Sequence, residues 1–191
     1  MSDEPGSDEL GVYEIAYLCG GPTRVAQTAL LALHGYRRIR ILHGAHRVEA
    51  AEREPGDDVL QAVVLAEIPH GGRPLNQLVA AVAASPPMDG LAGTLQEAGL
   101  LSRPLLGSPR PTRRGRALRR RLRAEPGGEL ARFAALGTPG IAEARLREMF
   151  EAPEPRPERP PHGWAGRGRG DADPAPDRAG DGGLRFGGRP D

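Results

Sequence analysis

Between Tyr13 and Val48 the chain switches between two periodicities at fixed breaks, and few folds accommodate that order. Val12, Ile15, Ala16 and Cys19 share one helical face. Gly20-Gly21 supplies a stop where a positive φ meets no side-chain clash, and Pro22 suits the first turn of a second helix. Val25, Ala26, Ala29, Leu30 and Leu33 continue the apolar face to Gly35. In the ribbon that follows, Ile39 and Ile41 point to one side while Arg38 and Arg40 point to the other. His43-Gly44-Ala45-His46 turns the chain back toward Val48, a pairing residue on the return strand. Helix, tight turn, helix and small hairpin together outline a winged helix.

The remaining segments extend this pattern. Residues 1–10 read as a flexible acidic arm and residues 11–52 as the first winged-helix-like unit. Glu52 to Asp57 is a linker, after which Asp57 or Asp58 can cap a helix. Val59 to Ile68, Leu75 to Ala84 and Met88 to Ala98 read as helices, broken at Pro69-His70-Gly71-Gly72, Ser85-Pro86-Pro87 and Gly99. Leu100-Leu101 and Leu105-Leu106 can form a short strand pair, and Thr112 caps a helix to about Ala124. Residues 57–124 thus read as a second winged-helix-like unit. Gly35-Tyr36 and Gly99-Leu100-Leu101 are either a weak internal repeat or two ordinary helix ends.

Residues 129–150 carry two C-terminal helices around Gly137-Thr138-Pro139-Gly140. The fold class expected is therefore mainly α with small β (α+β). Residues 151–191 hold 8 Pro and 9 Gly in 41 positions. Such a stretch cannot bury enough apolar surface to offset roughly 1–2 kcal/mol of backbone entropy per residue, so a disordered Pro/Gly/Arg-rich tail is expected. Its Pro153-Glu154-Pro155-Arg156-Pro157 run is polyproline-like, and Gly166-Arg167-Gly168-Arg169-Gly170 is similar to basic RNA-binding tracts. The interspersed acids favour a plain solubilising role.

A formal charge of +1 gives no general reason to expect a nucleic-acid or membrane partner. All 26 basic residues are Arg, as GC-rich coding bias would produce, so the position of Arg residues carries more information than their number. Cys19 is the sole cysteine, which rules out an intrachain disulfide and fits a reducing compartment. The acidic start lacks the apolar region of a secretory signal. No apolar run approaches the roughly 20 residues of a membrane span, and a cytoplasmic location is expected.

One cluster stands out. From Ala98 to Ala124 there are nine Arg and no Asp or Glu. On the helix after Thr112, Arg116, Arg119, Arg120 and Arg123 fall at i, i+3, i+4 and i+7, a basic face opposite Leu118 and Leu122. That face suits nucleic-acid phosphate, an anionic headgroup or an acidic protein segment. The plainer reading is a solvated helix, paired with the acidic arm (Asp3, Glu4, Asp8, Glu9).

DNA reading by a recognition helix fits less well, since the first unit offers only Arg24, Gln27 and Thr28 as readers. The second offers Asp89, Gln96 and Glu97, whose carboxylates repel phosphate. Arg38, Arg40 and Arg47 of the wing are better placed as a phosphate clamp. His34, His43 and His46, with Cys19, fall short of a convergent four-ligand zinc set. Cys19 has no histidine placed as its base, and Gly20-Gly21-Pro22 lacks the Lys-Ser/Thr of a phosphate loop. No catalytic residue, metal site or cofactor is expected.

The run Tyr13-Glu14-Ile15-Ala16-Tyr17-Leu18-Cys19-Gly20-Gly21-Pro22 precedes Ala29-Leu30-x-x-Leu33 and Ile39-Arg40-Ile41. It resembles a bacterial domain of unknown function common in high-GC, actinobacterial-type genomes, with an E-x-A-Y-L-A-G-G-P signature. Asp58-Val59-x-x-Ala62-Val63, Leu95-x-x-Ala98-Gly99-Leu100 and Phe133-Ala134-Ala135-Leu136-Gly137 extend the likeness, which covers about residues 10–150. Members usually carry transmembrane segments beside this domain, and this chain departs from them in having none. The resemblance implies at most a peripheral membrane association and brings no catalytic residues. A non-catalytic interaction module that binds a protein partner or an anionic surface is expected, with a winged-helix DNA-binding regulator as the alternative.

Overall fold

In the computed structural model, residues 10–54, 56–103 and 108–151 are described. The described residues belong to one compact unit. The expected acidic arm, the Leu105-Leu106 strand and the 151–191 tail beyond Glu151 lie outside the described residues.

The fold is mainly helical with a small three-stranded antiparallel sheet. Helix α1 (Val12–Gly35) is its axis. It kinks at Gly21, whose φ of 71° and ψ of −168° interrupt the helical path directly before Pro22. Glycine adopts that φ without the clash a Cβ would bring. Ala16, Val25, Ala26, Ala29, Leu30 and Leu33 are fully buried along α1, and the small side chains let neighbouring helices approach closely.

The chain leaves α1 through Arg37, which takes a positive φ of 59°. Its amide donates to the His34 carbonyl, and the Arg38 amide donates to Leu33. That is the paired closure of a Schellman helix end, with arginine at the usual glycine position. Gly35, expected from sequence as the stop, is the last helical residue and lies two positions too early for this role.

Strand β1 (Ile39–Leu42) pairs with β2 (Arg47–Ala50), and Val48 faces Ile41 as anticipated. Ile39, Ile41 and Val48 are buried beneath the hairpin. Helix α2 (Val59–Ala66) is capped by Asp58, whose carboxylate accepts from Gln61 N at 2.9 Å. The sequence did not foretell β3 (Arg73–Pro74), which adds to β2 through Arg47 and Val48. Two residues, one of them proline, carry no alternation to read.

Helices α3 (Leu75–Ala83), α4 (Pro87–Glu97), α5 (Arg113–Ala124), α6 (Glu129–Leu136) and α7 (Ala144–Glu151) complete the unit. A 3-10 turn over Thr138–Gly140 occupies the expected break after α6. The strand expected at Leu100-Leu101 is a single bridge from Leu101 to Pro111: the Leu100 amide donates to the Leu95 carbonyl and the Arg110 amide to the Ser102 hydroxyl, so neither extends a ladder.

Helices α2 through α6 all contact α1. Side chains from residues 11–52, 57–124 and 129–150 join one hydrophobic cluster. No single described helix is long and apolar enough to cross a membrane. The bent pair α3 and α4 passes that test jointly, yet Leu78, Val82, Met88 and Leu95 turn into the core.

Candidate anion-binding face

Helix α5 is seated before it is charged. Thr112 accepts from Gly115 N at 3.1 Å as its N-cap, and its hydroxyl donates to the Gly99 carbonyl at 2.7 Å. Gly115 and Leu122 are buried on the inward side and Leu118 is half-buried beside them. A Cβ at Gly115 would run into the Leu100 carbonyl oxygen, so only glycine lets the helix lie so close. This contact fixes the rotation of α5 about its axis.

Arg113, Arg116, Arg119, Arg120 and Arg123 consequently share the opposite flank, within an arc of about 120° at 100° per residue. Together they line a cleft of about 350 Å³ with no carboxylate in its wall. Among the described residues none of the five forms an ion pair. The four arginines singled out from sequence are thus brought together. Arg113, three residues before Arg116 on the same face, joins them by the same spacing.

The five differ in what they do. Arg123 is exposed but its guanidinium reaches back to two backbone carbonyls, donating from Nε to Ala135 at 3.4 Å and from Nη2 to Cys19 at 3.3 Å. These carbonyls close α6 and the first segment of α1, where orphan acceptors and the negative end of the helix dipole favour a cation. Arg116 donates to the Pro111 carbonyl at 3.0 Å. Arg119 is half-buried, and its Nε is buried without a hydrogen-bond partner among the described residues. Arg113 and Arg120 are exposed.

Beneath this face lies Cys19, only 2% exposed. Burial pushes its thiol above the ordinary value, against the opposing pull of Arg123, Arg119 and Arg24. A group held in its thiol form is a poor nucleophile. Arg24 is half-buried, and burial lowers its pKa. The guanidinium lies over the Phe133 ring and donates to the Phe133 carbonyl. No spacing in the sequence signals that role.

Several of the other arginines and readers are engaged elsewhere. Arg47 donates to the Gly71 and Gly72 carbonyls at 2.7 and 2.8 Å. Arg38 lies 3.8 Å from the Glu52 carboxylate. Arg40 is exposed on β1 opposite Glu49. Thr28 is fully buried and its hydroxyl donates to the Arg24 carbonyl. Gln27 lines a hollow of about 340 Å³ with Thr23 and His46. Among the described residues no group of three or more His, Cys, Asp or Glu is placed to hold a metal ion.

Comparison with protein-family models, curated proteins and solved structures finds no match to this chain.

Proposed function

We propose that this protein is a non-catalytic interaction module that docks an anionic surface through helix α5. The supporting observation is the cleft walled by five arginines, with no carboxylate to neutralise it. Its seat on Gly115 and Thr112 presents the charges from a fixed helix, so the backbone need not be ordered on docking. The DNA-reading alternative has less to draw on. Arg24 and Thr28 are committed to the core, and of the three wing arginines only Arg40 makes no hydrogen bond or ion pair among the described residues. Membership of the membrane-associated family suggested by the Gly20-Gly21-Pro22 run belongs to the same proposal, as a peripheral rather than spanning association.

The test is binding of the full chain to anionic vesicles and to random duplex DNA across a salt series. Binding to anionic vesicles should weaken steeply with salt, as expected for charge neutralisation by several arginines. It should fall by about tenfold or more when Arg113, Arg116 and Arg120 are changed together to Ala, about 1.4 kcal/mol or more. Binding that ignores both salt and these substitutions overturns the proposal. Sequence-preferring DNA binding lost with Arg38→Ala and Arg40→Ala would replace it with the regulator.

A further inference from the structure

A diffuse basic surface and a discrete anion site make different demands. A diffuse surface needs only cations spread in water, whereas a site needs donors converging on one volume with their remaining bonds left open. The α5 cleft meets the second demand. Five guanidinium side chains line this one open cleft of about 350 Å³, enough room for a small anion.

The donor inventory sharpens the point. A guanidinium carries five N–H groups in a planar fork and accepts nothing. Arg123 uses Nε and Nη2 on backbone carbonyls, which leaves its Nη1 available. Arg116 uses Nη1 on Pro111, which leaves Nε and Nη2. Arg113 and Arg120 have no side-chain hydrogen bond among the described residues. Arg119 holds its Nε shielded from water, with no acceptor among the described residues, and a buried donor left so costs about 1–3 kcal/mol.

The carbonyl bonds of Arg123 and Arg116 hold two of the forks in place, so they need not be ordered by the ligand. A carboxylate offers two acceptor oxygens to this many forks, and a phosphodiester offers two unesterified ones. A phosphate monoester or diphosphate offers three or more with about two negative charges, and pairs with arginine forks two bonds at a time.

The geometry points to a specific site for a terminal phosphate group in the cleft formed by Arg113, Arg116, Arg119, Arg120 and Arg123. It rests on the reading of the α5 face as an anion-binding surface and goes further in naming a phosphate with three or more free oxygens. Two sources carry that chemistry: the monoester headgroup of a membrane lipid and a soluble phosphorylated compound. Arg114 and Arg121 lie on the neighbouring flank of α5 and take no part.

The experiment titrates the full chain with inorganic pyrophosphate while following the arginine Nε–H resonances by NMR, with calorimetry in parallel. Saturable one-to-one binding is expected, with the Arg119 resonance among those that move. Affinity should drop about tenfold or more in Arg116→Ala and in Arg120→Ala, the loss of one charge-assisted pair. It should stay within about twofold in Arg114→Ala and Arg121→Ala, which separates the cleft from general positive charge.

Vesicles of phosphatidic acid and of phosphatidylglycerol at equal surface charge then identify the source. Preference for phosphatidic acid, competed by pyrophosphate, assigns the lipid. Saturable pyrophosphate binding without that preference assigns the soluble compound. Binding to both vesicles with no saturable pyrophosphate response overturns the site and leaves the anionic docking face standing. No binding in any arm overturns both.

Discussion

Arg24 lies over Phe133, with its guanidinium carbon 5.3 Å from the ring centroid, while its Nη1 donates to the carbonyl of the same residue at 3.2 Å. One side chain thus clamps the second segment of α1 to α6 by ring and backbone together. Phe133 is 2% exposed and also meets Phe150 at 5.9 Å between centroids. Phe133→Ala should destabilise the unit by about 3–5 kcal/mol through the cavity it leaves. Arg24→Ala should lose about 1–3 kcal/mol in urea unfolding, from the ring contact and the carbonyl left without its donor. A double-mutant cycle with Phe133→Leu should return a coupling of about 0.5–2 kcal/mol; strict additivity would show that the stacking carries no energy.

Glycine in a helix is normally improved by alanine, by roughly 1 kcal/mol. Gly90 of α4 is exposed with open space where a Cβ would go, so Gly90→Ala should stabilise by about 0.5–1 kcal/mol. Gly115 of α5 should behave oppositely, because the added methyl would strike the backbone carbonyl of Leu100. Gly115→Ala should lose about 1–3 kcal/mol, read as a lower thermal midpoint. Equal and favourable effects at both positions would disprove the close seating of α5.

At the end of α1 the left-handed residue is Arg37, exposed and with φ 59°. A side chain there carries a strain of roughly 1–2 kcal/mol that glycine avoids. Arg37→Gly should therefore raise stability by about 0.5–1 kcal/mol, despite glycine's entropy in the unfolded chain. Thermal unfolding of Arg37→Gly beside Arg37→Ala checks it, and the two variants should separate by about that amount.

Several helices were legible because they begin or break on chemistry the sequence displays. Asp58 and Thr112 are caps with their expected partners, and Gly20-Gly21-Pro22 is the kink. The hairpin was legible from the alternation of Ile39 and Ile41 and the return through Val48. What stayed hidden depended on contacts between distant segments. Arg73–Pro74 is a strand only because β2 lies beside it. Arg24 reads as an exposed helix residue until α6 is brought against it. For the candidate site, spacing places four arginines on one face, yet it cannot show that Arg123 donates to the Cys19 and Ala135 carbonyls.

That difference among the arginines is measurable. Arg123→Ala removes the donor to two helix-end carbonyls and should destabilise by about 1–2 kcal/mol. Arg120→Ala removes an exposed side chain with no hydrogen bond or ion pair among the described residues and should change stability by no more than about 0.5 kcal/mol. Its effect should appear in binding instead. Urea midpoints measured alongside anion affinity separate the two roles. Comparable stability losses at both positions would refute the division.

Alkaline pH should expose the buried titratable groups. Burial raises the Cys19 thiol above its ordinary value, and burial likewise raises the Tyr13 and Tyr17 phenols. Above the unfolded pKa, about 8.5 for Cys and about 10 for Tyr, the unfolded chain releases a proton that the folded chain retains. Stability is therefore full below about pH 8.5 and falls as pH climbs toward the folded values, by up to about 1.4 kcal/mol per pH unit for each group titrating. Cys19→Ala should flatten the first part of the decline, between about pH 8.5 and 10, and Tyr13→Phe the part above it. The same protection should keep the thiol slow toward iodoacetamide at pH 8 in the native protein and fast in urea. Rapid native alkylation, or a stability curve that is flat or rising through pH 10, would mean that Cys19 is not held in its thiol form by the fold.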